Sequence, residues 1–184
     1  MSDTPITARL ILRRWRDEDR LPFQAINADP RVMEFFPALL TAEETDLLIE
    51  RIGKHFERYG FGLFAAELIE TQEFIGFVGL NVPGFDATFM PAVEIGWRLS
   101  CQHWGRGLAT EGAQAVVRYA SETLQLPGLV SFTPAGNLRS RRVMEKIGMV
   151  HDRSGGFDHP RLPEGHPLRR HVLYRLHPHL HPGG

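Results

Sequence analysis

Between Val93 and Leu124 the hydrophobic pattern changes period once, and two glycines stand at the change. Val93-Glu94-Ile95-Gly96-Trp97-Arg98-Leu99 reads as a strand. Beyond it, Ala109, Ala113, Val116, Val117, Ala120 and Leu124 recur at helical spacing. The segment between them, Trp104-Gly105-Arg106-Gly107-Leu108-Ala109-Thr110, therefore carries a strand into the start of an amphipathic helix. The first N–H groups of a helix have no partner inside it, and the helix dipole adds partial positive charge there. Gly105 and Gly107 let a ligand approach the backbone closely. Such a loop is an anion cradle suited to a pyrophosphate. It is not a Walker loop, because no Gly-Lys-Ser/Thr follows. The Gly-x-Gly pair also lacks the alternating parallel units of a dinucleotide-binding fold. On glycine count alone, a plain strand-to-helix turn is the simpler reading.

The remaining chain supplies short elements in a mixed order. Leu10 to Trp15 predicts a first strand, followed by a helix over about Asp19 to Ala28 with Pro22 in its first turn. Thr41 and Glu44 form a capping box for a helix that sets Leu47, Leu48, Ile52 and Phe56 on one side and ends near Gly60. Phe61 to Glu67 and Phe74 to Leu80 predict an antiparallel hairpin. Asn81 to Pro91 reads as a loop and Leu129 to Thr133 as a strand. Asn137 opens a helix that stops at Gly148, and a strand follows over about Met149 to Arg153. Ser154 to Pro167 reads as a loop and His171 to Leu176 as a last strand. Antiparallel strands come first, then strand–helix–strand–helix–strand. This order predicts a mixed α/β (α+β) fold, with a mostly antiparallel sheet and helices on both faces. The length of 184 residues suits a single domain spanning 1–184.

Charge and composition narrow the function classes. The net charge of −1 argues against a dedicated nucleic-acid binder, whose footprint is a basic face. Cys101 is the only cysteine, so neither a disulfide framework nor a cysteine-based metal site is expected. No apolar run approaches a membrane span, and Met1 to Thr7 is polar, so the expectation is a cytoplasmic protein. The His/Pro-rich tail from His177 to Gly184 reads as a frayed end rather than a metal site.

Three segments carry a family resemblance. Trp104 to Ala109 resembles the coenzyme A motif of GNAT acetyltransferases, Arg/Gln-x-x-Gly-x-Gly/Ala, with Trp104 at the leading position and Gly107 and Ala109 on the later small ones. The form Trp-Gly-Arg-Gly-Leu-Ala-Thr-Glu is similar to the RimJ/RimL-type branch. Asn137-Leu138-Arg139-Ser140 running to Glu145-Lys146-Ile147-Gly148-Met149 resembles a second segment of that branch, and Thr7 to Arg13 its opening strand. The resemblance implies a sheet splayed at an acetyl-CoA site and an N-acetyltransferase acting in a ternary complex. It implies that the main chain of Trp97 and Leu99 pairs with the pantetheine arm, and that Trp104, Gly105, Arg106, Gly107, Leu108, Ala109 and Thr110 hold the pyrophosphate. Asn137 is implied as a coenzyme contact, beside its own reading as a helix cap. Many family members place a tyrosine acid seven residues later; here that position is Met144, and Ser140 is the available substitute. Dimers are common in this branch, so a homodimer is a further expectation.

Other candidates rest on the residues themselves. Glu94, Gly96 and Arg98 share one strand face. Four residues of strand span roughly 13 Å, too far for a direct Glu94–Arg98 pair. Glu94 is therefore either half of a cross-strand pair or a general base acting on the acceptor amine. Arg139, Arg141 and Arg142 read mainly as a solvated helix face, with contact to coenzyme phosphates as the alternative, and Trp15, Phe35 and Phe36 mainly as core, with the lining of an acceptor pocket as the alternative. Cys101 beside His103 is the only hint of a covalent route. An α-amine with pKa near 8 costs about 1 kcal/mol to deprotonate at pH 7, against about 4.6 kcal/mol for a lysine. This favours an α-amine or another low-pKa amine over an unassisted lysine, and it fits the acetylation of protein N-terminal α-amines that the resemblance implies. A small-molecule amine, a non-catalytic acyl-CoA sensor and an RNA-associated module stand as alternatives.

Overall fold

The computed structural model describes residues 4–177. The tail beyond His177 lies outside them, and so does the reading made of it. Seven strands form one sheet in the order β1-β2-β3-β4-β5-β7-β6. In chain order they are β1 Leu10–Arg13, β2 Leu63–Leu68, β3 Phe74–Asn81, β4 Glu94–Leu99, β5 Leu129–Pro134, β6 Val150–Asp158 and β7 Arg170–Leu176. Every pairing is antiparallel except β4 with β5. This is the mostly antiparallel α/β sheet expected from the element order.

The helices are α1 Arg20–Asn27, α2 Ala42–Tyr59, α3 Leu108–Arg118 and α4 Leu138–Lys146. Local chemistry sets their ends. The Thr41 side chain accepts from the Glu44 N–H, Glu44 returns a bond to the Thr41 N–H at 2.8 Å, and Gly60 closes α2 in the left-handed region at φ 77°. Buried Phe23 and Ile26 of α1 and Ile49 of α2 pack on the sheet face that carries Ala65 and Phe77. Leu108, Ala113 and Val116 of α3 pack on the other face, against Leu10, Val78 and Ile95. Gly112 lets α3 lie close to Val78: a Cβ there stands 3.1 Å from Val78 Cγ2. Among the described residues, no helix is long and apolar enough to cross a membrane.

Two expectations need correction. Leu47 is 56% exposed, and the buried stripe of α2 runs through Thr45, Ile49, Ile52 and Phe56. The strand expected to stop at Arg153 continues to Asp158. Its Gly155-Gly156 step lies in an irregular stretch of the ladder with β7 between Asp152 and Phe157. There the Asp152 carboxylate accepts the N–H groups of Ser154 and Gly155, and Arg175 Nε at 2.7 Å. A side chain replaces the missing backbone rungs, so glycines that read as a loop remain inside a strand.

Candidate active site

β4 is paired fully on one side and barely on the other. It runs in register with β3 from Gly76↔Leu99 to Asn81↔Glu94, but meets β5 at Glu94↔Val130 alone. The Val130 N–H donates to the Val93 carbonyl at 2.9 Å, and the Ser131 hydroxyl donates to the Ile95 carbonyl at 2.9 Å. Past that side-chain bond the strands part. Backbone groups of alternate residues face the same neighbour, so Trp97 and Leu99 follow Val93 and Ile95 and face the gap. The Leu99 carbonyl is already taken, at 3.0 Å, by the indole N–H of Trp104. The expectation for Leu99 therefore narrows to its N–H. Trp104, which departs from the family motif, acts here as a clasp on the end of β4. Nothing in the sequence marked Ser131 as the residue that ends the β4–β5 pairing.

The glycine loop starts where the strand ends. A short 3-10 turn, Cys101–His103, leads to Gly105 at φ 74° and Gly107 at φ 77°. Both conformations favour glycine. A Cβ on Gly105 meets nothing within 4 Å, and one on Gly107 meets only Arg9 Nη2 at 3.7 Å. The space above the loop is open. The Glu111 N–H donates to the Gly107 carbonyl at 3.0 Å, and no side chain caps α3. The N–H groups of Leu108, Ala109 and Thr110 precede that first bond and are left for a ligand. Arg9 braces the loop, with Nη1 donating to the Arg106 carbonyl at 2.9 Å and Nε to Glu111 at 2.7 Å. Although burial opposes ionisation, bonds from Thr7 and Arg9 hold the Glu111 carboxyl below its ordinary value. Its charge at the cradle is thus answered. The Arg106 side chain donates to His103 Nδ1 at 3.2 Å. An arginine only donates, so His103 accepts there and its Nε2 donates to Glu73 at 3.1 Å. The cavity wall includes Gly105, Gly107 and Thr110 but not Arg106, whose side chain is engaged with His103.

A cavity of about 630 Å³ joins the loop to the gap and continues to the sheet face that carries Glu94. Asn81 Nδ2 donates to Glu94 Oε2 at 3.2 Å across the β3–β4 pair. No cation forms an ion pair with Glu94 among the described residues, so the cross-strand charge pair is absent. Burial pushes its carboxyl up to about 7. Gly96 lies beside it, and a Cβ there meets only Glu94 Oε1, at 3.9 Å. The floor next to the carboxylate is therefore open.

α4 closes the other wall. Asn137 Oδ1 accepts the Ser140 N–H at 3.2 Å, and its Nδ2 donates to Thr133 Oγ1 at 2.9 Å and Ser140 Oγ at 3.1 Å. The capping reading of Asn137 holds, and the same residue lines the cavity. Because Ser140 Oγ accepts from Asn137, its own O–H remains available to donate. Met144 is buried against the cavity without a proton to give. The buried Tyr174 hydroxyl is engaged with Glu145 at 3.0 Å.

Several sequence readings change. Arg139 pairs with Glu34 at 2.5 Å and lies over the Trp104 ring, and Arg141 donates to the Tyr174 hydroxyl. Arg139 and Arg142 line the cavity, so this helix face is not simply solvated. Trp15 is core, with its indole N–H on the Leu63 carbonyl at 2.7 Å, but Phe35 and Phe36 line the cavity. Cys101 Sγ donates to Asp29 at 3.1 Å, away from His103 and outside the cavity wall.

The residues present fit an acyl-CoA: a strand gap with free backbone groups, an open anion cradle and a connecting cavity. The comparisons agree. The acetyltransferase (GNAT) domain matches residues 9–150. An uncharacterized Bacillus subtilis protein, YkkB, is 32% identical over 150 residues, covering 81% of this chain and 86% of its own. The crystal structure of an acetyltransferase from Agrobacterium tumefaciens is 32% identical, with a TM-score of 0.75 over 95% of this chain and 94% of that one. RimL, a ribosomal alpha-N-protein acetyltransferase solved with coenzyme A, shares the fold at 15% identity, with a TM-score of 0.75 over 95% of this chain and 97% of that one. The chain belongs to the GNAT family of acetyl-CoA-dependent N-acetyltransferases.

Proposed function

We propose that this acetyltransferase passes its acetyl group directly to a primary amine held beside Glu94, and that the acceptor is a peptide N-terminal α-amine. The observation that carries the reading is a lone carboxyl, raised to about 7, facing the cavity next to Gly96. A base is most useful when its pKa is near the working pH. An α-amine needs only about 1 kcal/mol of help at pH 7, within reach of one such carboxylate, directly or through a water. Acetyl-CoA supplies an activated thioester. The main chain of Trp97 and the Leu99 N–H orient its arm, the N–H groups of Leu108 to Thr110 receive its phosphates, and Asn137 shapes the wall beside them. Glu94 takes the amine's proton as the N–C bond forms, and the Ser140 O–H donates to the departing sulfur. Placement of Cys101 outside the cavity wall supports direct transfer rather than an acyl-enzyme.

The test is release of free thiol from acetyl-CoA over an acceptor panel. Peptides with free N-termini should turn over, and the same peptides with blocked N-termini should not. Equal turnover of blocked peptides that retain a lysine would overturn the α-amine assignment.

A further inference from the structure

A second charge faces the cavity from the same strand face as Glu94, and no acid answers it. Arg98 Nη1 donates to Asn27 Oδ1 at 2.6 Å. Asn27 is itself held, donating from Nδ2 to Thr45 Oγ1 at 3.2 Å. The guanidinium carbon stands 4.1 Å from the centre of the Phe36 ring, and Arg98 Nε is buried with no partner. Among the described residues, no carboxylate reaches ion-pair distance of it. Burial alone depresses its basicity, with no acid acting in opposition.

The same sheet face shows the alternative. Arg13 is buried there, and it is gripped by both oxygens of Asp19 at 2.8 Å and by Glu67 at 2.6 Å. Arg13 receives two carboxylates; Arg98, half-buried, receives one neutral amide and the faces of the Phe36, Phe77 and Phe23 rings. Leaving a partly buried cation unpaired is costly unless a partner arrives. A guanidinium with free donors has the geometry to take a carboxylate.

We infer that the acceptor amine also carries a carboxylate, and that Arg98 receives it. The inference rests on the proposed transfer to an amine beside Glu94. The Cα atoms of Glu94 and Arg98 are separated by roughly 13 Å of strand, and their side chains do not meet. The acceptor therefore holds its amine and carboxylate several bonds apart. A peptide with an acidic residue near its N-terminus has this chemistry, and so does a small ω-amino acid. A carboxylate-free polyamine does not, since Arg98 repels it.

The experiment uses matched acceptor pairs with the wild-type protein and acetyl-CoA, read as thiol release. Peptides carrying Asp or Glu in the second or third position are compared with their Asn or Gln counterparts. Several ω-amino acids are compared with their amides, and spermidine serves as the carboxylate-free control. The carboxylate member should be favoured at least about tenfold in kcat/KM, mainly through KM, the scale of a hydrogen bond to a charged group. Response of the peptide pairs alone identifies a peptide acceptor, and response of the amino-acid pairs alone a small one; either supports the role of Arg98. Arg98→Met, which keeps length and removes charge, should erase the preference while KM for acetyl-CoA stays within about twofold; Arg98→Lys should restore part of it. Equal turnover of both members by the wild type overturns the inference and leaves acetyl transfer standing. No turnover of any amine overturns the underlying reading and this one with it. Should Arg98→Met not fold, the wild-type pairs decide alone.

Discussion

At the proposed coenzyme end of the cavity, the groups left for a ligand belong to the main chain: the gap edge of β4 at Trp97 and the helix-start N–H groups of Leu108 to Thr110. At the acceptor end they are side chains: Glu94 and Arg98 from β4, Asn81 from β3, and Phe36 from the segment after α1, with Asn27 of α1 bracing Arg98. The first kind of site needs a strand that parts from its neighbour and glycines at positive φ, and it tolerates change in most side chains. RimL keeps the fold at 15% identity. The second kind depends on which residues the fold brings together, so a few substitutions can change the acceptor without disturbing the fold. Perturbing the coenzyme end should therefore act on every acceptor alike. Perturbing the acceptor end should act on turnover or selectivity and spare coenzyme affinity.

The largest expected effect separates the two ends most sharply. Glu94→Gln keeps the shape and removes the base, so turnover at pH 7 should fall roughly 10²-fold with little change in acetyl-CoA affinity. The wild-type rate should rise with pH through about 7, as the carboxyl ionises. The deficit of the variant should shrink above pH 8, where an α-amine arrives neutral. Stability moves the opposite way. Burial raises the Glu94 pKa from 4.5 to about 7, so its stabilising contribution is complete below 4.5 and is lost as pH rises through about 7. Denaturant melts across that window should show the wild type losing this contribution and Glu94→Gln keeping its own. Wild-type turnover by the variant at pH 7 would reduce Glu94 to a structural group.

Ser140 lines the cavity from the start of α4, and its loss should be milder. A thiol with pKa near 8.5 is a tolerable leaving group, and a hydrogen bond to its charged form is worth about 1.5–3 kcal/mol. Ser140→Ala should slow turnover roughly ten- to a hundredfold, without the high-pH rescue expected of Glu94→Gln. Asn137 keeps its bond to Thr133 in this variant, so the cap on α4 should survive. Undiminished turnover with intact binding would mean that water protonates the sulfur.

Gly107→Val addresses the coenzyme end alone. The added side chain meets little protein, so the φ of 77° and the approach of a phosphate are what it opposes. Acetyl-CoA affinity by calorimetry should fall about tenfold or more, equally for every acceptor. A variant that changes acceptor preference instead would break the division between the two ends.

The same division decides what the sequence could reveal. Thr41, Glu44 and Gly60 mark α2 because caps act within a few residues. Gly105 and Gly107 mark the cradle because a backbone site needs backbone permission. Arg98 meeting Asn27 and Phe36 joins positions 71 and 62 apart in the chain (98 against 27 and 36), and no local pattern encodes that. The sequence excluded a Glu94–Arg98 pair by distance, but it could not show that each charge meets only a neutral amide, Asn81 for Glu94 and Asn27 for Arg98, and no opposite charge among the described residues. Leu47 failed differently: two residues from Thr45 and Ile49 and nine from Phe56, it lies on the far side of the helix from the buried stripe, and helical spacing itself leaves it exposed. Gly155 and Gly156 read as loop because the ladder with β7 and the Asp152 side chain are long-range support.

The smallest effect tests the seam itself. Ser131 is buried, and its hydroxyl holds the Ile95 carbonyl where β4 and β5 cease to pair. Ser131→Ala removes the donor and leaves a buried carbonyl without it. The expected cost is about 1 kcal/mol, read as a lower urea midpoint with unchanged slope. Ser131→Thr keeps a hydroxyl and should recover most of it if the added methyl is accommodated. Because the bond lies between the two ends, its loss should loosen both slightly, with changes of less than about threefold in acetyl-CoA affinity and in turnover. If stability falls as expected while neither constant moves, the gap is held open by α3 and α4 packing, and Ser131 only satisfies a carbonyl. If turnover drops as far as in Glu94→Gln, the seam governs the chemistry, and the two ends are not separable.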